Sequence, residues 1–196
     1  MPKLSRDDLW SLEQYAEERE VFRSEVLTHK KDRRLVLGEH IQLIFEDQLT
    51  IRYQIQEMLR IEKVFEANGI EEELSAYNPL IPDGDNWKCT MLIQYADVDE
   101  RKVRLEALIG VESKVWLQLD GCDKIFAIAD EDMERSNETK TSAVHFLRFQ
   151  LTDEMIDAVQ RNKSMVVGVD HQEYDCAPQT VLLDVQKSLY KDISNG

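Results

Sequence analysis

The stretch VHFLRFQLTDEMIDAVQRN, residues 144–162, carries the pattern that decides the fold: a strand followed at once by a helix. Over 143–149 the side chains alternate between two faces, and both faces are apolar apart from one basic residue each, His145 and Arg148. Two apolar faces are typical of a strand in the middle of a sheet. Thr152 then caps a helix predicted over 153–161, and a further strand is predicted over 165–169.

An earlier stretch repeats this order of elements. A strand is predicted over 88–95, a helix over 98–109 that Asp97 caps, and a second strand over 114–119. The match is one of pattern rather than of residues. One interpretation is a pair of strand–helix–strand units with their helices on one face of a shared sheet; the other is a chance echo of the kind that any α+β protein offers. A hairpin turn then joins the strand predicted over 114–119 to a further strand predicted over 124–129.

The chain before these units is predicted to be mainly helical. The helices are expected over 5–16, 17–30, 47–67 and 70–77, with Gly69 ending the third of them, and a hairpin is expected over 33–46. The loop NPLIPDGDNW, residues 78–87, separates this part from the strands. The sequence thus predicts a single α+β domain, 1–196, in which a helical part with a hairpin (1–78) packs on a mixed or antiparallel sheet (87–170), followed by a C-terminal helix at 178–192.

The charge of the chain limits its partners. Its 196 residues carry a formal net charge of -15, and residues 70–196 account for -12 of it. Such a field repels phosphate backbones, so nucleic-acid binding is not expected. One basic run, Lys30, Lys31, Arg33 and Arg34, could contact phosphate. We favour the alternative of cations at a helix C-terminus, because no aromatic or glycine-rich partner accompanies the run.

Other patterns indicate what the chain lacks. Its three cysteines are far apart, which argues against a disulfide framework and a structural zinc site. The sequence has no signal-peptide pattern and no apolar run as long as a membrane span, so a cytoplasmic location is expected. Motifs of nucleotide-binding, hydrolase, zinc-protease and di-iron sites are also missing, so no cofactor is predicted.

A few polar residues stand among apolar ones and are candidates for a catalytic site. Glu62 falls inside the apolar stripe of the helix predicted over 47–67, where a carboxylate needs a partner or a proton. His145 is either an acid/base group or a hydrogen-bonded core residue. Arg148 needs an acidic partner, which Glu62, Asp130 or Asp132 could supply. These five residues form either an ion-pair network in the core, which we favour for Glu62, or a small-molecule site.

A second polar cluster could bind a metal ion. Asp170, His171 and Asp175 follow the strand predicted over 165–169, and their oxygen and nitrogen donors could hold a transition metal. A polar loop with a chance histidine is the commoner arrangement. The acidic segment 130–141 could likewise bind a divalent cation, although a solvated loop is the better interpretation.

Several stretches together resemble an uncharacterised bacterial family of unknown function. They are SRDDLWSLEQY, HKKDRR, FEDQLTIRYQIQEMLRIEKVFE, YNPLIPDGDNWKCTM, ADEDMERSNETKTSAVHFLRF and VVGVDH, within residues 5–172. The genes of that family tend to lie beside those of rubrerythrin and a heterodisulfide-reductase-like iron–sulfur protein. The resemblance implies a link to redox or oxidative stress.

These observations lead to three hypotheses about function. The first is an accessory or interaction protein, oligomeric through its amphipathic helices, that acts with a redox partner. The second is a small-molecule-binding protein or cofactor-free enzyme that uses the carboxylate, histidine and arginine candidates. The third is a divalent-metal-binding protein.

Overall fold

The computed structural model describes residues 2–131, 135 and 139–193. Within these residues the chain forms six α-helices and nine strands. The helices are α1 (Leu12–His29), α2 (Gln48–Glu62), α3 (Ala67–Tyr77), α4 (Val98–Ala107), α5 (Asp153–Gln160) and α6 (Leu183–Tyr190). The strands are β1 (Arg34–Leu37), β2 (Ile41–Phe45), β3 (Asn86–Ile93), β4 (Val115–Leu119), β5 (Ile125–Phe126), β6 (Ile128–Ala129), β7 (Val144–Gln150), β8 (Met165–Val169) and β9 (Gln179–Thr180). The α+β class is confirmed.

The strands divide between two antiparallel sheets, ordered β1-β2-β3-β7-β6 and β5-β4-β8-β9. Antiparallel pairing was one of the two predicted forms, but one shared sheet was expected. Each strand–helix–strand unit instead places its first strand in one sheet and its second in the other. Because β3 pairs with β7 and β4 pairs with β8, the two units occupy equivalent positions. The helices α4 and α5 therefore carry the chain from sheet to sheet.

The strand predicted over 124–129 is also divided between the sheets. β5 pairs with β4, and β6 pairs with β7. Between them, the backbone N–H of Ala127 donates to the carbonyl of Val115 at 2.8 Å. This short segment therefore joins the edges of the two sheets.

The inner faces of both sheets contribute to one hydrophobic core. Alternate residues of β2, among them Ile41 and Phe45, are fully buried, and so is Trp87 of β3. β7 lies between β3 and β6, as its two apolar faces predict. His145 points into the interior and is fully buried, whereas Arg148 is half-buried on the outer face. The two basic residues of β7 are therefore separated by the sheet.

The first helical segment differs from the prediction of two helices. α1 is one helix of 18 residues, which Ser11 caps by accepting the backbone N–H of Gln14. Residues Arg6–Asp8 form only a short 3-10 turn. The reason is local: two serines, Ser5 and Ser11, each offer a capping hydroxyl, and the second one begins the long helix.

The helix predicted over 47–67 ends five residues early. Its N-cap is Asp47, as expected, but Lys63 adopts a left-handed conformation with φ of 56° and ends α2 at Glu62. Gly69 lies inside α3 rather than after α2. A Cβ at Gly69 would lie 2.6 Å from Cγ1 of Val64, so glycine is needed there for close approach. The sequence predicted Gly69 as a helix cap, whereas its role is to leave room for Val64 by having no side chain.

Buried polar contacts hold the helices on the sheets. The basic run lies at the C-terminal end of α1, as favoured, but Arg33 is fully buried. Its guanidinium donates to the carbonyl of Phe45 at 2.9 Å and pairs with Asp192, just after α6. No helix in the described part of the chain is both long and apolar enough to cross a bilayer.

Candidate functional site: an outer groove and a buried histidine cluster

The predicted catalytic residues do not meet in one place. His145 and Asp130 lie together on the core side of β7, and Arg148 lies on its outer side. Glu62 is exposed at the C-terminal end of α2, and Asp132 lies outside the described residues. The structure therefore contains two separate arrangements.

Buried polar groups surround His145. Its Nδ1 lies 2.5 Å from Oδ2 of Asp130, and its Nε2 lies 3.0 Å from the carbonyl oxygen of Ser142. Nε2 is also 2.9 Å from the hydroxyl of Thr141, which donates to Glu112 at 3.2 Å. Both ring nitrogens are thus hydrogen-bonded within the protein. No part of the His145 side chain is exposed to solvent.

This cluster holds the two ends of the segment 130–142 together. Asp130 begins the segment, and its second oxygen accepts the backbone N–H of Phe146 at 3.0 Å. The backbone of Asp130 adopts a left-handed conformation, with φ of 52°, which is uncommon for a residue other than glycine. A ring that is hydrogen-bonded on both sides and closed to solvent matches the core-residue interpretation of His145.

Arg148 has a different partner from those predicted. Its Nε and Nη2 donate to the two oxygens of Glu131 at 2.7 and 2.8 Å, a bidentate pair. A pair with Glu62 was expected because the apolar stripe was extended to residue 67. Since α2 ends at Glu62, that carboxylate lies in solvent instead, and the expected pair is wrong. Asp130 is engaged by His145.

A sequence signal could have identified Glu131. Asp130 and Glu131 follow β6 directly, and consecutive side chains at the end of a strand point to opposite faces. One of these two side chains must therefore reach the inner face, near His145, and the other must reach the outer face, near Arg148. The prediction considered Asp130 and Asp132 as partners of Arg148 and overlooked Glu131, which lies between them.

Arg148 lies in a groove of about 650 Å³ on the outer side of β7. One part of its lining is apolar and includes Pro79, Leu80 and Phe146. The polar part carries both signs of charge: Lys3, Lys88 and Arg148 face Asp83, Asp85 and Glu131. The loop 78–87, which the sequence set apart as a boundary, forms one wall of the groove.

Hydrogen bonds fix the lysines of the groove. Nζ of Lys88 donates to the carbonyls of Pro79 and Ile81 and to Asp83, at 2.7, 3.0 and 2.6 Å. Lys3 donates to the other oxygen of Asp83 at 2.7 Å. Burial alone would raise the pKa of Asp83, but its bonds from the two lysines lower that pKa well below its usual value. This carboxylate therefore stays ionised between two cations.

Arg148 is held from a second direction. Its Nη1 donates to Oε1 of Gln150 at 2.6 Å, and the amide of Gln150 donates to the carbonyl of Asp85 at 3.1 Å. The hydrogen bond from Arg148 lowers the pKa of Glu131, and the same bond raises the pKa of Arg148. The guanidinium is thus oriented by the protein before any solute arrives.

The predicted metal ligands do not converge. Asp170 accepts the indole N–H of Trp116 at 2.7 Å, Nε2 of His171 lies 3.1 Å from the carbonyl of Ile109, and Asp175 is exposed. Among the residues that the structure describes, no group of three or more histidine, cysteine, aspartate or glutamate side chains could hold a metal ion. The geometry thus gives no support to a metal centre at this loop.

Comparisons with known proteins give a family but no activity. The chain is 45% identical to a protein from Burkholderia pseudomallei K96243 whose crystal structure is that of a novel protein of unknown function. The two folds agree with a TM-score of 0.94 over 98% of this chain and 100% of the other. No functionally curated protein matches the chain. The redox link implied by the resemblance stays a prediction. The model of a family described as "Protein of unknown function (DUF3501)" matches residues 3–193, so the chain belongs to the DUF3501 family.

Proposed function

We propose that the protein binds a small organic molecule in the groove on the outer side of β7. Ligand sites are usually concave, mostly apolar and about 300–1,000 Å³ in volume, with a few convergent polar groups. The groove has this size, an apolar part and one guanidinium that points into it. The orientation of Arg148 by Gln150 is the observation that carries the proposal.

A second argument is that the groove is formed before a ligand binds. Lys88 has only 11% of its side chain exposed and donates to three oxygens of the loop that forms the wall. That loop is further tied to the N-terminus, because Asn78 and Leu4 exchange hydrogen bonds at 2.8 Å in both directions. A ligand that enters a fixed groove loses less binding free energy to the ordering of the protein.

Binding is better supported than catalysis. The one histidine among the predicted catalytic residues, His145, lies on the opposite side of β7 and is closed to solvent. The two lysines and the arginine that line the groove already pair with the carboxylates of Asp83 and Glu131. Paired, ionised groups suit recognition more than proton transfer, which requires a group that titrates near the working pH.

A screen of small organic acids, amines and neutral compounds by two-dimensional amide NMR tests the proposal. Compounds that bind in the groove should shift the amide signals of Asn86, Phe146 and Arg148. The Arg148→Met variant should lose these hits. The Arg161→Met variant is the matched control, because Arg161 also pairs with a carboxylate but is 72% exposed on another surface. If no compound shifts the groove signals of the wild-type protein, the proposal is wrong.

The accessory role beside a redox protein is a separate proposal. It is motivated by the resemblance and by the amphipathic helices, and a ligand groove is compatible with it. Co-purification of tagged protein with rubrerythrin tests this role, and light scattering tests the predicted oligomer. Enrichment no higher than with an unrelated bait would contradict the partnership.

A further inference from the structure

Glu131, the bidentate partner of Arg148, can be displaced from the guanidinium. The side chain of Glu131 is 51% exposed, whereas that of Arg148 is 24% exposed. An ion pair with such an exposed member contributes little to stability, because water solvates the released carboxylate well. Glu131 also follows a strand of only two residues, β6. Replacement of this carboxylate by another one therefore costs the fold little.

The other cations of the groove do not offer this exchange. Lys3 and Lys88 share the carboxylate of Asp83, and each also donates to a backbone carbonyl of the wall. Displacement of Asp83 would therefore remove the carboxylate partner of both ammonium groups at once. Arg148 differs, since its bond to Gln150 keeps the guanidinium in position after Glu131 has left.

We propose that the groove binds a monocarboxylate with an apolar body, and that the ligand's carboxylate displaces Glu131 from Arg148. This inference rests on the proposed ligand-binding function of the groove. The bidentate pair with Glu131 shows that the space around the guanidinium accommodates a planar carboxylate. The apolar body lies against Leu80 and Phe146, which line the same groove.

The charge of the groove favours a single negative charge on the ligand. Asp83 and Asp85 line the groove beside Arg148, and the whole chain carries a net charge of -15. A dianionic phosphate would meet stronger repulsion from these carboxylates than a monocarboxylate would. Glu131, once released, turns its carboxylate to solvent.

The test compares phenylacetate, its neutral isostere phenylacetamide and phenyl phosphate as probes at low salt. Affinities for the wild-type protein and for the variants Glu131→Gln, Arg148→Met and Arg161→Met are measured by amide NMR titration. Because Glu131 competes with the ligand, Glu131→Gln should bind phenylacetate about three to five times more tightly than the wild type. Arg148→Met should bind it at least tenfold more weakly, and Arg161→Met should match the wild type. Phenylacetamide should bind Glu131→Gln and wild type equally.

The outcomes separate this inference from the proposed function. Unchanged or weaker phenylacetate binding by Glu131→Gln would overturn the displacement, and tighter binding of phenyl phosphate than of phenylacetate would overturn the assignment of a monocarboxylate. Binding of phenylacetamide as tight as that of phenylacetate would overturn the anion site but keep the groove as a ligand site. A groove that binds none of the three probes but binds other compounds of the screen overturns the inference alone.

Discussion

Replacement of His145 by leucine tests whether the buried histidine cluster is structural. Leucine has nearly the volume of histidine, so the variant removes hydrogen bonds without opening a large cavity. Asp130 would lose its contact at 2.5 Å but keep the backbone N–H of Phe146 at 3.0 Å and Arg135 at 3.3 Å. A hydrogen bond to a charged group contributes about 1.5–3 kcal/mol. Because the variant also removes the contacts of Nε2 with Thr141 and Ser142, we expect a loss at the upper end of this range, about 3 kcal/mol.

The assay is urea unfolding followed by circular dichroism, with the free energy of unfolding taken by linear extrapolation. His40→Leu is the control, because His40 makes one ring hydrogen bond to a backbone carbonyl and is partly exposed; its loss should stay below about 1 kcal/mol. The variants Asp130→Asn and His145→Leu/Asp130→Asn complete a double-mutant cycle, in which the two losses should not add. A loss below about 1 kcal/mol for His145→Leu, or additive losses, would refute a structural role. Phenylacetate binding should be unaffected by His145→Leu, since the groove lies on the other face of β7.

Three further predictions test other contacts of the fold. Nε and Nη2 of Arg19 donate to the two oxygens of Glu57 at 2.7 and 2.8 Å, and these bonds lower the pKa of Glu57 to about 2. The stability that wild type gains over Glu57→Gln should therefore be constant above pH 4.5 and fall away as the pH approaches 2; a constant difference would contradict this. Gly69→Ala should destabilise by about 1–3 kcal/mol despite alanine's helix propensity, and Val64→Ala should relieve part of that loss; an additive double variant would exclude the close contact. Tyr174→Phe should lower the free energy of unfolding by about 1–3 kcal/mol, because the Tyr174 hydroxyl is hydrogen-bonded to three backbone groups of the hairpin β1–β2. Tyr190→Phe loses one hydrogen bond and should cost less. Equal losses of the two variants in thermal unfolding would count against this.

Local signals in the sequence predicted the elements but not their pairing. The caps Asp47, Asp97 and Thr152 begin helices where the sequence places them, because capping depends on a residue and its next three neighbours. The alternation over β7 correctly indicated a central strand. The division into two sheets depends on which strands meet across long separations, and a short segment such as 125–129 carries no signal of a switch between sheets.

The candidate site shows the same limit at the level of single residues. Glu62 was misplaced because Lys63 takes a left-handed conformation that its type does not indicate, which moved the helix end. His145 and Arg148 were recognised as unusual from their apolar neighbours. The sequence limits the partners of these two residues to a short acidic segment that contains Asp130 and Glu131. Which of the two acids meets which basic residue depends on the register of β6 against β7. The groove itself arises from the approach of loop 78–87 to β7, which no local pattern specifies.

The most direct test of the ligand-binding account is a crystal structure of the protein soaked with phenylacetate. The account predicts the carboxylate of phenylacetate paired with Nε and Nη2 of Arg148, the ring against Phe146, and Glu131 turned away into solvent. The bond between Arg148 and Gln150 should remain. Phenylacetate bound elsewhere, or an intact pair of Arg148 and Glu131 beside an occupied groove, would contradict it.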